Sequence, residues 1–153
     1  MSAICIVDSS VFCNLLRVPS KDQDHGRAMS ELEAHLNAGH SLLLPLAAIF
    51  ETGNHIAQSG SGQQRRRAAE AFVRQVKDAF TGESPWTPTP MGTPEEFATW
   101  LADFPDHAMR GSGIGDLSIV KVWDRQCELH QARRVFVWSY DKHLRGYDRP
   151  SKL

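Results

Sequence analysis

The sequence predicts an α/β protein with a central, mostly parallel sheet flanked by helices. Short apolar and β-branched runs at residues 4–7, 41–45 and 134–138 alternate with longer segments whose apolar residues recur at helical spacing. Strands that alternate with helices are typical of parallel sheets joined by right-handed crossovers. No long linker or internal repeat divides the chain, so residues 1–153 are expected to form one domain.

The first strand and helix are closely coupled. Residues 4–7 form an apolar, β-branched run that is typical of a buried strand, and the run ends abruptly in Asp8. A helix is predicted over residues 10–17, because a serine pair can cap its start and Pro19 stops it. An acid at the end of a buried strand lies at the carboxyl edge of the sheet, where open α/β sheets hold their ligands.

The next strand lies between two predicted helices. Residues 26–37 carry apolar side chains at helical spacing, and Gly39 closes that helix. Residues 41–45 form a short apolar run that a proline ends, as expected for a strand. A third helix is predicted over residues 46–57, and Glu51 is its only acid.

The middle of the chain predicts one long helix and then a proline-rich connection. Over residues 63–80, apolar side chains recur at intervals of three and four, while basic residues take the other faces. Residues 81–93 carry three prolines and are expected to form a surface connection, with a short edge strand around Trp86 and Thr87. A helix over residues 94–101 follows, because it begins with a proline and two acids.

The last third of the chain predicts a mobile loop, a buried helix, a strand and a tail. Residues 107–115 are rich in glycine and are expected to be mobile. Asp116 opens a helix whose apolar positions spread widely, so this helix should be largely buried. The strand at residues 134–138 is followed by Asp141, and the basic tail at residues 142–153 is expected to be partly irregular.

The composition limits the classes of function. The net charge is −1 at pH 7, so a polyanion site needs either a local basic patch or metal ions held by carboxylates. Three cysteines fit reduced thiols in a cytosolic protein better than a disulfide framework. The start of the chain does not resemble a signal peptide, and its longest apolar run is too short to span a bilayer. A cytoplasmic protein without a membrane partner is therefore expected.

Four acids interrupt or bound apolar sequence, where an unpaired carboxylate is costly. They are Asp8, Glu51, Asp116 and Asp141. Crowded carboxylates raise each other's pKa, and a divalent cation relieves their repulsion. Carboxylate oxygens with open water positions suit Mg²⁺ or Mn²⁺. Each acid alone has an ordinary alternative: Asp116 as a helix cap, Asp141 as a turn residue and Glu51 as a partly exposed side chain.

The motifs IVDSSVF, AAIFETGN, GIGDLSIV and VWSYD resemble those of the PIN domain, the nuclease family that includes VapC-type toxins. This resemblance covers nearly the whole chain and implies a PIN-like three-layer α/β/α fold that cleaves RNA. It implies that Asp8, Glu51, Asp116 and Asp141 are both the catalytic residues and the ligands of Mg²⁺ or Mn²⁺. Hydrolysis by such a site would leave 5′-phosphate and 3′-hydroxyl ends.

Several neighbours of these acids are candidates for supporting roles. Ser10 stands where many family members have asparagine, and its hydroxyl is expected to hold a carboxylate or a phosphate. Ser139 stands at the usual Thr or Ser position and is expected to orient the following acid or a water. Arg110 and Lys142 adjoin proposed ligands in sequence, which favours contacts with RNA phosphates. His55, four residues after Glu51, is interpreted as an ordinary helix residue.

The resemblance also suggests a biological role and partners. Small size and family prevalence favour the toxin of a type II toxin–antitoxin pair, which binds an antitoxin protein and forms a homodimer. One alternative is a non-cleaving PIN-like module that binds RNA or protein, and another is an RNA-processing nuclease that is not a toxin. A phosphate-handling enzyme such as a phosphatase is disfavoured, because the DxDx(T/V) and GxxxxGK(S/T) motifs are absent from the sequence.

Overall fold

The computed structural model describes residues 2–152, and Met1 and Leu153, the ends of the predicted domain, lie outside this range. A five-stranded sheet with the order β3-β2-β1-β4-β5 forms its centre. The strands are β1 (Ile4–Val7), β2 (Ser41–Pro45), β3 (Trp86–Thr89), β4 (Val135–Trp138) and β5 (Asp148–Arg149). All neighbouring pairs are parallel except β4 and β5. The predicted α/β class with a mostly parallel central sheet is confirmed, and the arrangement is compatible with three α/β/α layers.

The helices alternate with the strands along the chain. They are α1 (Ser9–Leu15), α2 (His25–Asn37), α3 (Leu46–Ala57), α4 (Gly62–Thr81), α5 (Pro94–Trp100), α6 (Phe104–Met109) and α7 (Ile114–Leu129). Short 3₁₀ turns cover Leu101–Asp103 and Lys142–Leu144. Predicted and observed bounds agree within two residues for the first five helices. Among residues 2–152 there is no helix with the length and apolar character needed to cross a membrane.

The segment predicted to be a mobile loop, residues 107–115, is largely helical. Its first part ends α6 and its last part begins α7, and Gly111 turns the chain between them with a φ of 81°. Gly113 is the N-cap of α7, so Gly115 and Asp116 lie inside its first turn. Asp116 is therefore the third residue of a helix rather than its cap, and the three glycines of this stretch lie at a turn, at the N-cap and in the first helical turn.

The two edges of the sheet differ in how well the sequence predicts them. The predicted edge strand around Trp86 is confirmed as β3, which pairs with β2 and tolerates Pro88 because its other side is unpaired. The tail predicted as partly irregular, residues 142–153, contains β5. In this short strand Arg149 pairs with Val135 of β4.

The register of the sheet brings the ends of β1 and β4 together. Val7 of β1 pairs with Trp138 of β4, and the Asp8 N–H donates to the Trp138 carbonyl at 3.1 Å. All four residues of β1 are buried, because helices cover both faces of the central strands. The residues that follow these strands therefore meet at the carboxyl edge of the sheet. Helix α3 begins directly after β2 and starts from the same edge.

Candidate active site: an acidic cluster at the carboxyl edge of the sheet

Asp8 is the most buried member of the cluster, with only 1% of its surface exposed. Its Oδ2 accepts hydrogen bonds from the Ser10 hydroxyl and the Ser139 hydroxyl, both at 2.8 Å, and from the Ser10 N–H at 3.3 Å. Its Oδ1 is buried and has no hydrogen-bond partner within residues 2–152. A buried carboxylate oxygen without a partner is costly, so this atom indicates an interaction beyond the chain's own side chains.

Ser10 and Ser139 connect the end of β1 to the end of β4. The Ser10 hydroxyl accepts a hydrogen bond from the Tyr140 N–H, and the Ser139 hydroxyl accepts one from the Asp141 N–H, both at 2.9 Å. Each serine therefore donates to Asp8 while it fixes the backbone that follows β4. The structure places both serines in supporting roles: Ser10 holds a carboxylate, and Ser139 orients the segment that carries Asp141.

Glu51 enters the cluster from the second turn of α3. The Ser9 hydroxyl donates to its Oε2 at 2.9 Å. Burial raises the pKa of Glu51 above its ordinary value, as do the charges of Asp8, Asp116 and Asp141, while the hydrogen bond from Ser9 acts in the opposite direction. The ionised form of this carboxylate is therefore disfavoured by both its surroundings and its neighbours.

Gly115 makes room for the Glu51 side chain. A Cβ atom built on Gly115 would overlap Glu51 Oε1, so the carboxylate lies directly against the first turn of α7. The backbone of Gly115 is not in the left-handed region, so its conformation alone does not require glycine. The close approach of Glu51 is the reason that this helical position lacks a side chain.

Asp116 and Asp141 complete the cluster from α7 and from the end of β4. The Ser112 hydroxyl donates to Asp116 Oδ2 at 3.2 Å. Burial raises the pKa of Asp116, and the charges of Asp141 and Asp8 raise it further, whereas hydrogen bonds from Ser112 and the Gly113 backbone lower it. Asp141 caps the 3₁₀ turn that follows β4, and its Oδ1 accepts the His143 N–H at 2.9 Å.

The structure thus brings together all four acids that the sequence singles out. Asp8, Glu51 and Asp141 line one cavity of about 210 Å³, and Glu51 and Asp116 line a second of about 300 Å³. His55 lines both cavities, although it was interpreted as an ordinary helix residue. A larger cavity of about 610 Å³ lies between the end of β3 and α7, but none of the four acids lines it.

The donor atoms of the cluster fit a hard divalent cation. All are carboxylate oxygens, which Mg²⁺ and Mn²⁺ prefer, and Asp8 Oδ1 has no hydrogen-bond partner among residues 2–152. As the side chains stand, no group of three or more His, Cys, Asp or Glu residues within residues 2–152 is arranged to hold a metal ion. A shared ion would therefore require the carboxylates to draw closer together.

The basic residues near the cluster differ from those expected. Arg110 and Lys142 are exposed, and neither lines the two cavities beside the acids. Lys21, from the connection between α1 and α2, does line the first cavity, together with the neutral Gln23. A residue that lies close in sequence to a proposed metal-binding acid need not face the same cavity, because its side chain can point away from the edge of the sheet.

Three supporting residues are not apparent from the sequence motifs. Ser9 and Ser112 were not singled out, because a serine near a helix start is interpreted as a cap before it is interpreted as a partner of a distant acid. Gly115 does carry a signal. A glycine within an apolar helix costs about 1 kcal/mol relative to alanine, so its presence suggests a close approach by another group.

Comparisons with protein-family models, with curated proteins and with solved structures find no match to this chain. The resemblance to PIN domains therefore depends on the four sequence motifs.

Proposed function

We propose that this chain is a divalent-metal-dependent endoribonuclease that resembles PIN domains and hydrolyses RNA phosphodiester bonds at the acidic cluster. One observation carries the proposal: four carboxylates from four separate elements lie near one another, and within residues 2–152 none of them is paired with a basic side chain. Within residues 2–152, no side-chain nitrogen of Lys, Arg or His lies within 4.0 Å of any of the four carboxylates. Such an arrangement costs folding free energy, and a site that binds a cation explains why it is kept.

Asp8, Glu51, Asp116 and Asp141 would hold the Mg²⁺ or Mn²⁺. When bound, the ion supplies charge stabilisation at the scissile phosphate and activates water. The chain's own contribution is orientation, because serine hydroxyls hold three of the four carboxylates. Hydrogen-bonded partners of this kind fix the ligands of a metal before it binds, and their loss commonly costs 10–100-fold in affinity or activity.

The finer assignments follow from the resemblance. We propose RNA as the substrate and the toxin of a type II toxin–antitoxin pair as the biological role, with an antitoxin protein and a second copy of the chain as partners in the cytoplasm. The observation that separates the two roles is the neighbouring reading frame: a small one that encodes a DNA-binding domain would favour the toxin role. Its absence favours an RNA-processing nuclease. The intact acids count against a module that binds RNA without cutting it.

The test is RNA cleavage by the wild-type protein and by Asp8→Asn and Asp116→Asn, with Mg²⁺ or Mn²⁺. We expect cleavage to stop in EDTA and to return with excess metal. Each substitution should lower the rate by at least about a hundredfold, as the loss of a preorganised electrostatic contact does.

The matched control is Asp124→Asn, which changes an acid of α7 that pairs with Lys121 and lines neither cavity beside the cluster. This variant should cleave RNA at the wild-type rate. Thermal unfolding of each protein verifies that it is folded. If Asp8→Asn and Asp116→Asn fold and cleave as fast as Asp124→Asn, the proposed function is wrong.

A further inference from the structure

The connection between α1 and α2 forms one wall of the cavity beside Asp8. This cavity is lined by Asp8, Glu51 and Asp141 and also by Lys21 and Gln23 of the connection. The unpartnered Asp8 Oδ1 belongs to a side chain that is 1% exposed and lines the same cavity. A ligand in this cavity therefore has both Asp8 and Lys21 among its neighbours.

Lys21 is held in place by the backbone around it. Its N–H donates to the Val18 carbonyl at 2.9 Å, and the Val18 side chain is fully buried in a small core formed with Cys13 and Ile56. The Asn14 side chain accepts the Asp24 N–H at 2.8 Å and ties the end of the connection to α1. The connection is therefore anchored at its middle and at its end.

The same connection contains two non-glycine residues in the left-handed region, Arg17 with φ 56° and Ser20 with φ 63°. Each costs of order 1 kcal/mol, and such residues persist where the surrounding structure fixes them. They flank Val18 and determine the path by which the chain reaches Lys21. The position of Lys21 at the cavity is thus a defined feature of the fold.

The charge of Lys21 is available to a ligand. Its side chain is exposed, and within the described residues no carboxylate oxygen lies within 4.0 Å of its ammonium group. By contrast, Arg65 donates to the Gly60 carbonyl and Arg66 pairs with Glu70. Among residues 2–152, Lys21 is also the only Lys or Arg that lines either cavity beside the acids.

A nucleic acid strand needs such a cation at this site. Every nucleotide carries a phosphate, and the phosphates that flank the scissile one must lie beside four carboxylates. Lys and Arg contacts to phosphates supply much of the affinity for nucleic acids and set the position of the strand. We propose that Lys21 binds an RNA phosphate adjacent to the scissile phosphate and so positions the strand across the acids. This inference rests on the proposed function.

The test measures the binding of a short single-stranded RNA at several salt concentrations, with Asp8→Asn as the background so that the RNA is not cut. Adding Lys21→Ala should weaken binding roughly fivefold at low salt. It should also reduce the slope of log affinity against log salt by about 0.7, the value for one phosphate contact on a single strand. Lys21→Arg should retain both quantities, because it keeps the charge.

The matched control is Lys152→Ala. Lys152 is exposed and its N–H donates to the Ala132 carbonyl, which places it beside the start of β4 at the opposite edge of the sheet. This variant should bind RNA like the background. In the protein that keeps Asp8, Lys21→Ala should raise KM and leave kcat within about threefold of the wild-type value. This is the pattern of a lost binding contact.

The outcomes separate this inference from the proposed function. If Lys21→Ala matches Lys152→Ala in affinity and salt slope, or if the background binds no RNA, the inference is overturned. If the affinity and the slope fall as expected but the wild-type protein cleaves no RNA with either metal, Lys21 binds phosphate and the proposed function fails. If the wild-type protein cleaves RNA while Lys21→Ala keeps its KM, the function stands and the inference fails.

Discussion

Replacing Gly115 with alanine should separate the stability of the fold from the activity of the site. Gly115 is the second residue of α7, and alanine in a helix is more favourable than glycine by up to about 1 kcal/mol. A methyl group there would overlap Glu51 Oε1, because the carboxylate lies against the helix backbone. The substitution therefore favours the helix but forces the Glu51 side chain out of its position.

The size of the effect follows from what Glu51 loses. Moving its carboxylate breaks the 2.9 Å hydrogen bond from Ser9, whose side chain is buried. A hydrogen bond to a charged group contributes about 1.5–3 kcal/mol. Set against the helix gain of about 1 kcal/mol, the expected net loss of stability is roughly 0.5–2 kcal/mol. The rate of RNA cleavage should fall by about a hundredfold, because moving a catalytic group by about 1 Å commonly has an effect of this size.

The assay combines urea unfolding with metal-dependent RNA cleavage. Gly53→Ala is the matched control, because Gly53 lies on α3 two residues from Glu51 and a Cβ atom there meets only the Phe72 ring, at 3.8 Å. This control should gain up to about 1 kcal/mol and cleave normally. In Gly115→Ala, the further substitution Glu51→Asp shortens the acid by one methylene and should restore part of the activity.

The reasoning is refuted if Gly115→Ala cleaves RNA within about threefold of wild type and is also as stable as Gly53→Ala. That result would mean that Glu51 functions equally well elsewhere, or that its observed position has no bearing on activity. A loss of activity without rescue by Glu51→Asp would instead assign the defect to the α7 backbone rather than to the acid.

Three other predictions test the cluster. Adding Mg²⁺ at about a hundred times its Kd should raise the free energy of unfolding of the wild-type protein by about 2.7 kcal/mol. In thermal melts this corresponds to a Tm rise of roughly 5–10 °C, and Asp8→Asn should show no such rise. Ser139→Ala removes a donor to Asp8 Oδ2, so it should cost about 1–3 kcal/mol in urea unfolding and lower metal affinity 10–100-fold by calorimetry. Glu51→Gln and Asp116→Asn should each raise the Tm at pH 7 in metal-free buffer.

The sign of the last effect follows from the raised pKa values. Burial and neighbouring charges raise the pKa of Glu51 and Asp116, so the folded state binds their protons more tightly than the unfolded state does. The free energy of unfolding therefore falls as the pH rises from the ordinary pKa of these carboxyls to their raised pKa in the folded state. It stays lower at higher pH. The advantage of Glu51→Gln over wild type should disappear below about pH 4, where both states are protonated. If Glu51→Gln still has a higher Tm than wild type at pH 3, its greater stability comes from packing and not from the removed charge.

The sequence predicts the fold best where an apolar run of residues is also a buried strand or helix with a clear end. The bounds of β1, β2 and α3 match the expectation residue for residue, because apolar runs end there in Asp8 or Pro45. The two-residue strand β5 is missed. Its residues are polar, so they carry no strand pattern, and it is a strand only because it pairs with the edge of β4. Residues 107–115 are predicted as one loop, whereas they include the end of α6 and the start of α7, and their glycines serve a turn, a cap and a close contact.

The sequence predicts the four acids and the two serines that hold Asp8, Ser10 and Ser139, but not the other residues around the acids. Asp8 and Glu51 stand out because a charge within apolar sequence needs a reason, whatever the tertiary structure is. Lys21 does not stand out, since its polar connection has no periodicity and its position depends on the anchoring of Val18. Arg110 was chosen for its proximity in sequence, which does not determine the direction in which a side chain points.

The chemistry of the partners that hold the acids is itself informative. Three of the four carboxylates accept hydrogen bonds from serine hydroxyls: Asp8 from Ser10 and Ser139, Glu51 from Ser9, and Asp116 from Ser112. An arginine or a lysine would orient a carboxylate equally well but would cancel its charge. A neutral hydroxyl fixes the oxygen and leaves the negative charge intact, so the attraction for a cation is preserved. The fold thus retains a repulsion that a divalent ion would relieve, and this links the stability of the cluster to its proposed function.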